Sequence, residues 1–180
     1  MIKPIQRFLY NKRLNYTAFL YLLDESLLEI YPAQGQAHKF GLSLLPTLSP
    51  IPHSASIFAW TTSDSPTALH PNSLEQPAFL ALLHTTIRES PSQLEYLMSS
   101  RARRQGSGWL SIVDERAPWM YGRTPEPEDT VGMVRCEDGK VQMETYSPMP
   151  TYRLVSPLGI FSLPKPLHDC VMSTLEATRN

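Results

Sequence analysis

The sequence predicts an α+β fold in one domain: N-terminal helices packed on a mainly antiparallel C-terminal sheet, and a helix closing the chain. Three observations lead there. Residues 1–106 show helical apolar spacing opened by Asn, Ser and Pro. Residues 107–164 hold β-branched and aromatic runs divided by turn signals, and residues 166–179 return to helical spacing. A chain of 180 residues fits a single domain over 1–180. Its 42% apolar content is enough for a core that needs neither metal nor disulfide. The 17 prolines, about twice the usual share, imply short elements and many turns.

Asn15 can cap a helix over 16–31 that Pro32 stops, with Phe19, Leu20, Leu23, Leu27 and Ile30 on a broad apolar face. Residues 33–52 mix glycines and prolines with Phe40, Leu42, Leu44 and Leu45, and read as irregular chain over the core with one short turn or strand. Residues 57–62 are a β-branched and aromatic strand. Ser73 followed by Gln76 reads as a capping box for a helix to about residue 89, with Phe79, Leu80, Leu83 and Ile87 inward. Ser90 and Pro91 start a second helix, and Gly106 ends it. Strands are expected over 109–113, 130–136, 140–145, 152–156 and 160–163. Asp138-Gly139 forms a two-residue hairpin turn, and Pro157 to Gly159 a second reversal.

Sixteen basic and 17 acidic residues leave no net field to draw nucleic acid or an anionic membrane. The longest apolar run, 18–23, is far too short to span a bilayer. Two cysteines, Cys136 and Cys170, suit a reducing compartment and read as small apolar residues, so a cytoplasmic location is expected. Lys3, Arg7, Lys12 and Arg13 precede the first acid, Asp24, a charge bias like that of a mitochondrial presequence. With 8 glycines and no nucleotide loop, serine elbow, His-Glu-x-x-His or Cys-x-x-Cys, neither a cofactor nor a metal is expected. Arg101, Arg103 and Arg104 read as cations at a helix C-terminus.

Two segments are candidates for chemistry. Residues 114–129 form a loop of about fifteen residues, long enough to be functional. Trp119, Met120 and Tyr121 make it too apolar for free solution, and Arg116 and Arg123 stand beside five acids. Glu126, Glu128 and Asp129 are the first candidates for acid/base groups, since a carboxylate against an aromatic wall can have a raised pKa. The plain alternative is that these acids pair with the arginines and cap the strand from Thr130. In residues 146–153, prolines splay Tyr146, Met149 and Tyr152 from an extended chain. With Trp109, Trp119, Met120, Tyr121 and Arg123 they could line one aromatic pocket for a mostly apolar ligand. On that reading, Tyr152→Ala abolishes ligand binding and spares the fold. Of the five histidines, His84 is a further catalytic candidate on its helix, whereas His38, His53 and His70 read as loop residues.

These features favour a cofactor-independent enzyme or binding protein of the isomerase, cyclase or lyase type acting on an apolar small molecule. The alternative is a protein–protein interaction or assembly module built on the same aromatics. Low charge and spare aromatics are also compatible with a homodimer.

Overall fold

The computed structural model describes residues 6–8, 28–32, 40–46, 54–62, 73–116, 125–156 and 158–178. Their arrangement is α+β, with three antiparallel sheets and three α-helices. Strands β1 (Gln6–Phe8), β2 (Leu28–Pro32), β3 (Phe40–Ser43), β4 (Ala59–Thr61) and β5 (Ser73–Glu75) form a five-stranded meander in chain order. Helices α1 (Pro77–Arg88) and α2 (Pro91–Gln105) follow, then the three-stranded sheet of β6 (Gly108–Val113), β7 (Thr130–Glu137) and β8 (Lys140–Pro148). The small pair β9 (Val155–Ser156) and β10 (Gly159–Ile160) precedes α3 (Lys165–Thr178).

The N-terminal part therefore contributes a sheet as well as helices, which corrects two expectations. The helix expected over 16–31 gives way at its end to β2, whose Ile30 pairs with Gln6 on one side and Leu42 on the other. Short apolar runs suit strand or helix equally, and pairing on both edges decides for the strand; residues 16–27 lie outside the described residues. The capping box at Ser73 is not formed either. Ser73–Glu75 is β5, with Leu74 opposite Trp60, and the helix opens at Pro77 after Gln76. The Gln76 N–H donates to the Phe58 carbonyl at 2.8 Å, so the chain stays extended up to the proline. Pro77 then suits the first helical position, where no N–H is needed.

One apolar core joins these layers. Phe79, Leu83 and Ile87 recur at helical spacing on α1, and Leu94, Met98 and Ala102 do the same on α2. They meet Leu110 and Ile112 of β6, Val134 and Cys136 of β7, and Leu167, Val171 and Leu175 of α3. Rings of Phe58, Phe79 and Phe161 form a triangle with centroids 5.3 to 5.8 Å apart. Burying each such side chain contributes about 1.5–3 kcal/mol.

The second sheet carries two bulges that decide which side chains face inward. At the start of β7, Ile112 pairs with Gly132 but Val113 with Thr130, so Val131 is an extra residue. Residues 130 to 132 are consequently all buried where a regular strand would alternate. In β8, three residues of β7 (Met133 to Arg135) are matched by six of β8 (Gln142 to Ser147). The odd excess inverts the alternation: Val141 and Met143 lean on the core, and then Tyr146, not Thr145, is buried. Thr145 fills the gap, accepting the Arg135 N–H at 2.8 Å and donating to the Gln142 carbonyl at 2.6 Å.

The β7–β8 hairpin turns at Asp138 (φ 50°) and Gly139 (φ 75°), the two left-handed positions an Asp-Gly turn supplies. Its tip docks on the end of α2 through the Gly139 N–H and the Gly106 carbonyl, 2.7 Å. α2 also covers the free edge of β6: Arg101 Nη1 donates to the Ser111 carbonyl at 2.7 Å and Gln105 Nε2 to the Trp109 carbonyl at 3.1 Å. The strands expected over 152–156 and 160–163 shrink to the two-residue β9 and β10. The intervening backbone is used by side chains instead, as described next.

Candidate functional site

The loop acids and the 146–153 segment come together as two separate constellations. The first is a buried ionic lock. Asp114, the residue after β6, is fully buried. Its Oδ1 accepts the N–H groups of Arg116 and Ser162, both at 2.9 Å, and its Oδ2 accepts the Tyr152 hydroxyl at 2.8 Å. The Arg116 side chain, 4% exposed, meets Asp129 through Nε at 3.0 Å. Its Nη1 donates to the carbonyls of Leu154 (3.2 Å) and Gly159 (3.3 Å), and its Nη2 to those of Glu128 (3.3 Å) and Arg153. Five donors thus find five acceptors, which is the full capacity of a guanidinium. Glu75 of β5 completes the frame by accepting the N–H groups of Leu154 (2.6 Å) and Val155 (3.2 Å).

Burial pushes the Asp114 carboxyl above its ordinary range, against the opposing pull of Arg116 and of the N–H groups it accepts. Burial and Asp114 together push the Tyr152 hydroxyl well up. Every polar group of this lock is committed to another, so its role is to hold the end of β6, the start of β7 and the β9–β10 turn as one piece. Tyr152 is only 3% exposed and belongs to that frame. Tyr152→Ala is therefore expected to damage the fold, contrary to the selective loss of binding expected from the sequence. Asp129 is likewise buried as the arginine's partner, whereas Glu126 and Glu128 have exposed side chains beside it.

The second constellation is a hydrogen-bonded histidine–tyrosine pair. His84 of α1 and Tyr146 of β8, 62 positions apart, meet with Nδ1 and the phenol oxygen 2.9 Å apart. The inverting bulge of β8 aims Tyr146 inward, and Gly132 makes room for its ring. A Cβ at Gly132 would lie 2.7 Å from Tyr146 Cε2 and 2.8 Å from the Ser147 carbonyl oxygen. The Arg88 guanidinium, one turn along α1, lies over the Tyr146 ring, 5.8 Å from its centroid. Burial first, and the Arg88 charge second, lower the His84 pKa below 6.5. Burial raises that of Tyr146. At neutral pH the pair is a neutral imidazole and a neutral phenol, and no protein group among the described residues binds the imidazole Nε2.

The remaining candidates are dispersed. Met149 is half-buried beside the core, and Trp109 on β6 is 52% exposed. Trp119, Met120, Tyr121 and Arg123 lie outside the described residues, as do His38, His53 and His70. Tyr146 and Tyr152 serve different constellations, with no hydrogen bond or ring contact between them. An open groove of about 860 Å³ runs elsewhere, between the α1–α2 corner and α3, past Gln93, Tyr96, Asp169 and Cys170. Cys136 is buried and Cys170 half-buried, both as free thiols. Among the described residues no three His, Cys, Asp or Glu side chains converge as metal ligands would, and no helix is long and apolar enough to cross a membrane.

The sequence pattern carried the pairing of the loop acids with the arginines as its plain alternative, and Arg116–Asp129 is such a pair, but it indicated neither the burial of the lock nor the position of Arg88. Their contacts join residues far apart in the chain; the one local signal was a charged pair, Asp114 and Arg116, at the end of an apolar strand. No family model, curated protein or solved structure matches the chain.

Proposed function

We propose that this protein binds a mostly apolar small molecule where α1 crosses β8, and acts on it by proton transfer with His84 as the acid/base group. The supporting observation is the His84–Tyr146 pair: one ring nitrogen is fixed by the phenol at 2.9 Å and the other carries no protein partner among the described residues. A base whose far nitrogen is held by a third group is the general arrangement of oriented acid/base catalysts. The lowered His84 pKa keeps the imidazole neutral near pH 7, the form that accepts a proton. Reactions of the isomerase, cyclase or lyase type need such a group and a shaped site, with no cofactor. Glu126 and Glu128, exposed at the start of β7, remain further acid/base candidates from the neighbouring loop.

Native mass spectrometry of protein purified gently from its own cells tests this reading. A retained molecule of metabolite size, lost in His84→Ala, is the expected result. A bare chain that leaves His84→Ala indistinguishable from wild type would overturn it.

A second reading, an interaction or assembly module, draws on the exposure of Trp109 (52%) and of Tyr96 (74%) beside the open groove. Recovery of the protein with a second polypeptide, released by Trp109→Ser, would favour it. A mass of two copies at micromolar concentration would favour a homodimer.

A further inference from the structure

We infer that the polar handle of the ligand is an anion, specifically a carboxylate, seated between Arg88 and the free nitrogen of His84; this rests on the ligand site proposed above. Arg88 follows His84 by one helical turn, so both side chains rise from the same strip of α1, and its guanidinium is held over the Tyr146 ring. Stacking on an aromatic face leaves the edge of a guanidinium, with its fork of N–H donors, free for a planar anion. Among the described residues Arg88 makes no ion pair, although its neighbour Glu89 is acidic. Glu89 and Thr86 point to the opposite side of α1, towards the groove, where Thr86 meets Thr174 of α3 at 3.4 Å.

Among the described residues, the titratable groups facing His84 are Arg88 on its own helix and Tyr146 from β8. Ser54–Ser56, the 3-10 turn that packs on α1, brings none, and α2 and α3 place no carboxylate in an ion pair with it. Once His84 is protonated, it and Arg88 are two cations at i and i+4 with no anion between them among the described residues, and a bound carboxylate removes that repulsion. The Tyr146 phenol, already engaged by Nδ1, leaves Nε2 as the donor to the anion once His84 is protonated. Linkage then requires reciprocity: the anion raises the His84 pKa, and protonation of His84 tightens the anion.

The probes are 3-phenylpropionate and octanoate, each against its primary amide, titrated into the full chain while the His84 ring resonances are followed by NMR. The carboxylates are expected to shift those resonances, to bind about tenfold or more tighter than the amides, and to raise the His84 pKa. Their affinity should increase as pH falls through that pKa while the acids stay ionised. Arg88→Met should bring the carboxylate down to the affinity of the amide, and Arg88→Lys should restore part of the difference. Equal binding of acid and amide, unchanged by Arg88→Met, would overturn the anion and leave the apolar site standing. No response of His84 to any of the four probes would overturn both.

Discussion

Asp114 shows what one buried charge demands of its surroundings. Its carboxyl takes two N–H groups and a phenol in a place water does not reach, and burial still raises its pKa. The folded chain therefore holds a proton that the unfolded chain has released, over the interval from the ordinary Asp value, about 4, up to the raised one. Stability from this group is present at the acid end of that interval and is lost as pH rises through it. Asp114→Asn, neutral at every pH, should abolish this slope while keeping the Oδ1 acceptor. Urea midpoints across a pH series check it, with the stability of wild type relative to Asp114→Asn falling as pH rises. Asp114→Ala instead strands three donors and should cost about 2–4 kcal/mol. Tyr152, expected from the sequence to line a ligand pocket, is instead part of this buried frame; an aromatic beside prolines gave no sign that its hydroxyl would be used inside the core.

At the level of elements, the two bulges position the side chains. Gly132, beside the first, lies where a Cβ would press on Tyr146 and on a backbone carbonyl that cannot turn aside. Gly132→Ala should destabilise by about 1–3 kcal/mol. It should also break the His84 contact, which a return of the His84 pKa towards 6.5 in an NMR titration would report. Elements specified by local chemistry were legible in the sequence. Helix α2 opens at Ser90-Pro91 and ends at Gly106, and the β7–β8 hairpin follows from Asp138-Gly139. Elements specified by partners were not. Leu28 to Pro32 becomes a strand because β1 and β3 flank it, and Ser73 to Glu75 because β4 does. Both bulges were equally invisible, since a bulge is a relation between two strands. His84 was legible only as a histidine one step off an apolar face; its partner, at 62 residues' remove, required the fold.

Across the whole molecule, a single core reaches from Leu42 of the first sheet to Leu175 of the last helix, and the Arg116 lock closes over one side of it. The lock's geometry has a consequence in time. Its guanidinium gathers carbonyls 12, 37, 38 and 43 positions away, together with an Asp 13 away. None of these can be in place until β6, β7 and the β9–β10 turn have already found one another, so the lock is a late arrival on the folding route. Arg116→Lys keeps the charge but offers three donors for five acceptors, and should cost about 2–4 kcal/mol. Nearly all of that loss should appear as faster unfolding, with the refolding limb of the chevron little changed. Arg116 then governs how long the native state lasts once formed, and hardly how quickly it is reached. For a chain whose His84–Tyr146 contact is assembled by a distorted strand, a slow exit from the native state keeps that contact in place.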